Sequence, residues 1–135
     1  PHLLLKYGKN EQFVANDIEQ EPFDKIPSDH FDLVKQAMWS VVNSSDGTGS
    51  RARVKDFDVC GKTGTAQLIT FTSESQHKND DYKNAWFAGF APRDRAHVAV
   101  VVLVEQAGAG GAQAAPIAKL LLEAYKKRYW SMEPS

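Results

Sequence analysis

The chain has 135 residues, enough for one domain with a modest core, and its 42% hydrophobic and 24% charged content is ordinary for a globular protein. A formal net charge of −1 removes the electrostatic case for nucleic acid, and a single cysteine, Cys60, excludes an internal disulfide or a cysteine-based metal cluster. No apolar run reaches the roughly 18 residues of a membrane span, and the opening at Pro1-His2-Leu3, with no initiator Met or signal peptide, reads as a piece cut from a longer protein.

Residues 1–27 read as an irregular connector. Leu3-Leu4-Leu5 and Phe13-Val14-Ala15 are candidate short strands around a turn at Gly8-Lys9-Asn10. The acidic stretch Glu19 to Pro27 carries two prolines and is expected to link rather than fold. The pattern predicts a helix over 28–43, with Ser28 or Asp29 as cap and Asp32 in a first turn where negative charge suits the dipole. Phe31, Val34, Met38, Val41 and Val42 recur at helical spacing and form the expected buried stripe. Trp39 reads as core or interface. Gly47-Thr48-Gly49-Ser50 is too short for a phosphate cradle and is taken as a turn.

Three strands are predicted next, over 57–71, 85–91 and 97–105. Their short connections imply an antiparallel meander. The run His97 to Glu105 is so apolar that burial on both faces is expected. Between the first two strands lies a polar loop, Thr72 to Lys83, long enough to border a site. A closing helix is predicted over 112–129. Pro116 fits its first turn, Ile117, Leu120, Leu121, Ala124 and Tyr125 supply a stripe to pack on the sheet, and Lys126-Lys127-Arg128 suit its C-terminal end. The fold class is α+β: an antiparallel sheet flanked by helices, with an open edge where further strands belong.

The chemistry concentrates in Val59 to Ile69. Lys62-Thr63-Gly64-Thr65 sets a cation, two hydroxyls and a side-chain-free backbone within four residues, between apolar flanks that favour a strand. Alternation on a strand sends Thr63 and Thr65 to one side, and Gly64 leaves room for a ligand against the backbone. A cation and two hydroxyls can hold a carboxylate, and an unpaired strand N–H can donate to a substrate oxygen. Gly61-Lys62-Thr63 is also the tail of a Walker A loop, but that loop needs a glycine where Asp56 stands and a helix where this pattern reads as strand. Neither a cofactor nor a metal is called for.

Taken together, the landmarks resemble the C-terminal part of the transpeptidase domain of class B penicillin-binding proteins, elongation type. The matching residues are Pro1-His2-Leu3, Val42-Asn43, Gly47-Thr48-Gly49, Gly61-Lys62-Thr63-Gly64-Thr65-Ala66-Gln67, Ala85-Trp86-Phe87-Ala88-Gly89-Phe90-Ala91-Pro92, the Val100-to-Glu105 strand, and Gly110-Gly111 with Ala114-Ala115-Pro116. The resemblance implies the penicillin-binding protein/serine β-lactamase-like fold, and a D,D-transpeptidase that cross-links peptidoglycan stem peptides through an acyl-serine enzyme and is inhibited by β-lactams. It implies a parent protein anchored in the bacterial inner membrane on the periplasmic side, with the upstream half of the same domain and the cell-elongation machinery as partners.

Carried over residue by residue, Lys62 contributes positive charge and helps position a serine of an S-x-N box. Thr63 and Thr65 hold the carboxylate, Gly64 allows close approach, and the Thr65 N–H is half of an oxyanion hole. Trp86 reads as core packing, with a place at the border of the site as the other reading. The departure is equally plain. No S-x-N occurs anywhere, and Ser75-Gln76-His77-Lys78, which matches S-x-x-K by letter, follows the K-T-G instead of preceding it. The chain thus carries one of three boxes and no nameable nucleophile. A β-lactam-sensing or non-catalytic domain of the same fold is the alternative reading.

Overall fold

A computed structural model describes the backbone of residues 6–9 and 12–15, and residues 26–67 and 83–130 in full. The candidate strand Leu3 to Leu5, the last residues of the first predicted strand (68–71), the predicted loop residues 72–82 and the Ser75–Lys78 match lie outside the described residues. Near the start, β1 (Lys6–Lys9) and β2 (Gln12–Ala15) form an antiparallel hairpin, with Tyr7 opposite Val14. Phe13-Val14-Ala15 lies in a strand as expected, whereas Gly8 and Lys9, read as part of a turn, lie in β1.

Helix α1 (Ser28–Asn43) has the predicted bounds but a different cap. Pro27 is the N-cap and no side chain caps the helix; the Asp29 carboxylate instead accepts the N–H of the next residue, His30 (3.0 Å). Pro27 suits the entry because its fixed φ is already near the helical value and its carbonyl accepts the His30 N–H. The predicted stripe is corrected too. Only Val42 is buried in α1, whereas Phe31 is 42% and Val34 54% exposed. The helix reaches the core by its C-terminal end alone, where the Asn43 side chain donates to the Val59 carbonyl (2.9 Å). Arg53 closes that end by donating to the carbonyls of Val42, Asn43 and Ser44. A guanidinium is well matched there to the negative end of the helix dipole.

A single 3₁₀ turn (Ser50–Ala52) leads into β3 (Cys60–Gln67), β4 (Lys83–Ala91) and β5 (Val98–Val104). They make the antiparallel meander, in the order β3-β4-β5. The first strand is shorter than predicted at its start. Phe57 pairs instead with Val54 across a turn in which Asp56 takes a positive φ of 52°, so the chain joins the sheet only at Cys60. Cross-strand pairs share a face. Gly61 sits opposite Gly89, and a Cβ on either would collide with the Phe87 ring, at 2.3 and 2.9 Å. The two glycines thus make the slot that lets Phe87 be fully buried.

Helix α2 (Gly110–Arg128) packs on the Phe87 face. Its buried residues are Gly110, Ala114, Ala115, Ala118 and Leu122, while Ile117, Leu120 and Leu121 are 41%, 65% and 51% exposed. The predicted stripe is therefore the wrong face. The helix lies so close to the sheet that small side chains form the contact, and the leucines that carry the hydrophobic signal point away. The two-sided burial expected of β5 is likewise corrected: Val102 is buried, but Val101 is 66% and Leu103 43% exposed, because α2 covers one face only.

The choice of α2 face predicts a contrast. In this chain, Leu122→Ala is expected to lower stability by about 2–5 kcal/mol, through lost burial plus a cavity, and Leu120→Ala by less than about 0.5 kcal/mol. Urea unfolding monitored by circular dichroism reads both; equal losses would mean that the helix is rotated from the orientation described.

Candidate functional site

β3 carries Lys62, Thr63, Gly64 and Thr65 in mid-strand and is an edge of the three-stranded sheet. The register sets Thr63 opposite Phe87 and Thr65 opposite Ala85, both fully buried, so the two hydroxyl-bearing side chains share the core-side face. Lys62 stands opposite Ala88 and Gly64 opposite Trp86, on the other face. The structure thus brings the two threonines together and separates Lys62 from them in side-chain direction. The lysine turns back along the strand, and its ammonium donates to the Thr63 carbonyl oxygen at 2.8 Å.

Trp86 is 37% exposed and lies outside the core, which corrects the core-packing reading. Its ring rises beside Gly64, where a Cβ would come within 3.2 Å of the Trp86 Cβ. Trp39 is half-buried at the far end of the site strand; its indole N–H donates to Asp58 (3.3 Å), and the Arg93 guanidinium lies 6.0 Å from its ring centre.

The start of α2 packs against the strand on the face that carries the threonines. A Cβ on Gly110 would lie 2.2 Å from the Trp86 carbonyl oxygen and 2.4 Å from that of Gly64. No side chain fits there, so the backbones of helix and site strand are in direct contact. Gly111 plays the same part toward Thr48, whose carbonyl oxygen would be 2.1 Å from a Cβ. Thr48 in turn hydrogen-bonds Thr63 through the two hydroxyls, Oγ1 to Oγ1, at 2.9 Å. Sequence reasoning took this residue for part of a plain turn. The available signal was a hydroxyl flanked by Gly47 and Gly49, which leaves its side chain free to be presented.

Two other candidates fall away on chemistry. Cys60 is buried, its thiol donates to the Lys35 carbonyl at 3.6 Å, and burial chiefly pushes its pKa up to about 11. It is protonated at neutral pH and is no nucleophile. An open cleft of about 870 Å³ is lined by Arg51, Arg53, Lys55, Phe57, Lys119 and Trp130, among others, and by none of the Lys62–Thr65 residues. One of its lining cations, Arg53, is committed to the end of α1. Among the described residues, no group of three or more His, Cys, Asp or Glu could hold a metal ion, and no helix is long and apolar enough to cross a membrane.

A profile of the penicillin-binding protein transpeptidase domain matches residues 2–123. The chain belongs to that family. Among curated relatives, this chain is 34% identical over 101 residues to the peptidoglycan D,D-transpeptidase MrdA of Haemophilus influenzae, covering 70% of this chain and 16% of that protein. It is 28% identical over 123 residues to the MrdA of Escherichia coli K12, covering 83% and 19%. Among solved structures, Pseudomonas aeruginosa PBP2 in complex with WCK 5153 superposes with a TM-score of 0.61 at 27% identity, over 90% of this chain and 24% of that one. The chain thus spans under a quarter of the length of each of these relatives, and its antiparallel sheet with flanking helices is the fold of that family.

Proposed function

We propose that this chain is the C-terminal part of the transpeptidase domain of an elongation-type penicillin-binding protein 2. The parent protein is a serine D,D-transpeptidase that cross-links peptidoglycan stem peptides and is acylated by β-lactams. The observation that carries this reading is the Lys62–Thr65 run on an edge strand, with both threonines on one face and the strand packed directly against α2. The chemistry follows from that placement. A stem peptide offers an amide to be attacked and a terminal carboxylate to be held. Thr63 and Thr65 supply hydroxyl donors for the carboxylate, and Lys62 adds a positive charge at the same edge.

The Thr65 N–H is one half of the oxyanion hole. In an antiparallel ladder the N–H and C=O of one residue point to the same side, and that side recurs every second residue. The Thr63 carbonyl accepts the Lys62 ammonium, which supports an accessible side shared by the Thr63 carbonyl and the Thr65 N–H. Trp86 borders the site from beside Gly64.

The upstream half of the same domain is the first partner. The uncovered apolar residues Val101 and Leu103 on β5, and Leu120 and Leu121 on α2, support a covering layer of protein rather than water. The parent protein works on the periplasmic side of the inner membrane with the cell-elongation machinery.

The test is covalent labelling of the full-length protein. Incubated with a fluorescent penicillin, digested and mapped by mass spectrometry, it is expected to carry one acyl group, on a serine of an S-x-x-K box that precedes residue 1. Absence of any adduct in folded full-length protein rules the reading out.

A further inference from the structure

We propose that Thr48 is a positioning residue for carboxylate recognition, holding the Thr63 hydroxyl in the orientation that binds; this rests on the reading of Thr63 given above. The two hydroxyls are 2.9 Å apart and either can be the donor. Each carries a single proton. Thr63 can give its proton to a carboxylate oxygen only if the proton between the two threonines comes from Thr48. Binding of an anion therefore selects one direction of the pair: Thr48 donates to Thr63, and Thr63 donates to the ligand. A hydroxyl that accepts a hydrogen bond becomes a better donor, so the pair binds the anion more tightly than Thr63 alone.

Thr48 is built to do this and not merely close by. The Gly49 N–H donates to the Val41 carbonyl (2.9 Å), which ties the turn to the last turn of α1. The Gly47 N–H reaches the Ser44 carbonyl (3.3 Å) on the other flank. Gly111, at the start of α2, lies against the Thr48 carbonyl. The Arg51 guanidinium then donates to the Ala112 carbonyl (3.1 Å), holding the following 3₁₀ turn to the same end of α2. Two helices thus fix the backbone of one exposed threonine, and that threonine's side chain points at the site strand.

The experiment uses the full-length protein and compares two probes, a penicillin and its methyl ester, which differ only in the carboxylate. Four forms are assayed for the apparent dissociation constant preceding acylation and for the acylation rate constant: parent, Thr48→Val, Thr48→Ser and Thr63→Val. Thr48→Val keeps the shape and loses the hydroxyl. Its affinity for the free acid is expected to fall about three- to tenfold, the scale of one hydrogen bond, with the acylation rate constant nearly unchanged and no change toward the ester. Thr48→Ser restores the hydroxyl and is expected to restore the affinity. If Thr48→Val weakens acid and ester alike, or Thr48→Ser fails to rescue, the residue is only structural and the proposal is overturned. If Thr63→Val loses the preference for the acid while Thr48→Val keeps it, the positioning role fails and the Thr63 reading survives. If Thr63→Val keeps the preference as well, both fall together. Thermal midpoints of all four forms identify any variant that has lost its fold, and for a misfolded Thr48→Val the variant Thr48→Ala, read by the same acid-to-ester ratio, takes its place.

Discussion

Purified by itself and incubated with a fluorescent penicillin, this 135-residue chain is expected to remain unlabelled. Acylation needs a serine whose proton is taken by a nearby base. The sequence has no S-x-N, and its one S-x-x-K match, Ser75 to Lys78, follows the site strand and leads into no apolar helical pattern. The groups at the site edge are threonines, and the Lys62 ammonium donates to a backbone carbonyl. Loss of the nucleophile from a serine enzyme costs about six orders of magnitude in rate, which turns labelling within minutes into none on any practical timescale. The Thr63 and Thr65 hydroxyls remain, so weak reversible binding of a carboxylate is the most the chain should show. The check is denaturation of the incubated protein followed by intact-mass spectrometry. A stoichiometric adduct, above all one mapped to Ser75, would falsify the argument.

Lys62→Ala in the full-length protein has the second largest expected effect. Lys62 is exposed, and its hydrogen bond to the Thr63 carbonyl is local to the strand. Truncating such a residue usually changes stability by less than about 0.5 kcal/mol. A preorganised group aimed at developing charge is typically worth about 3–4 kcal/mol, so β-lactam acylation should slow by about two to three orders of magnitude. Stopped-flow labelling gives the rate and a thermal melt gives the stability. Acylation at the parent rate in a folded mutant would remove Lys62 from the site. A parallel loss of rate and of melting temperature would place the lysine in folding instead.

The two helices, the meander and the site strand were legible in the residues because they rest on local rules. The helix over 28–43 follows from spacing, and the meander from three apolar runs with short connections. Lys62-Thr63-Gly64-Thr65 could be placed on a strand because its flanks are apolar and alternation alone fixes which side chains share a face. None of that depends on what packs where.

Which faces are buried was decided by the tertiary structure. Leu120 and Leu121 carry the strongest apolar signal in α2 but stay exposed, because the helix meets the sheet through Ala114, Ala115 and Ala118. Hydrophobicity reports how much a side chain gains from burial, whereas close approach selects for small side chains. A sequence pattern weighs the first and cannot see the second. The same holds for Val101, which belongs to an unbroken apolar run yet faces outward, since periodicity does not show whether both faces of a sheet are covered. Thr48 lies 15 residues from Thr63 in sequence, and only the contact of the start of α2 with the Gly47–Gly49 turn and the site strand brings the two hydroxyls to 2.9 Å. Contacts of that kind depend on three-dimensional closure of the chain, so they belong to the fold and not to any local pattern.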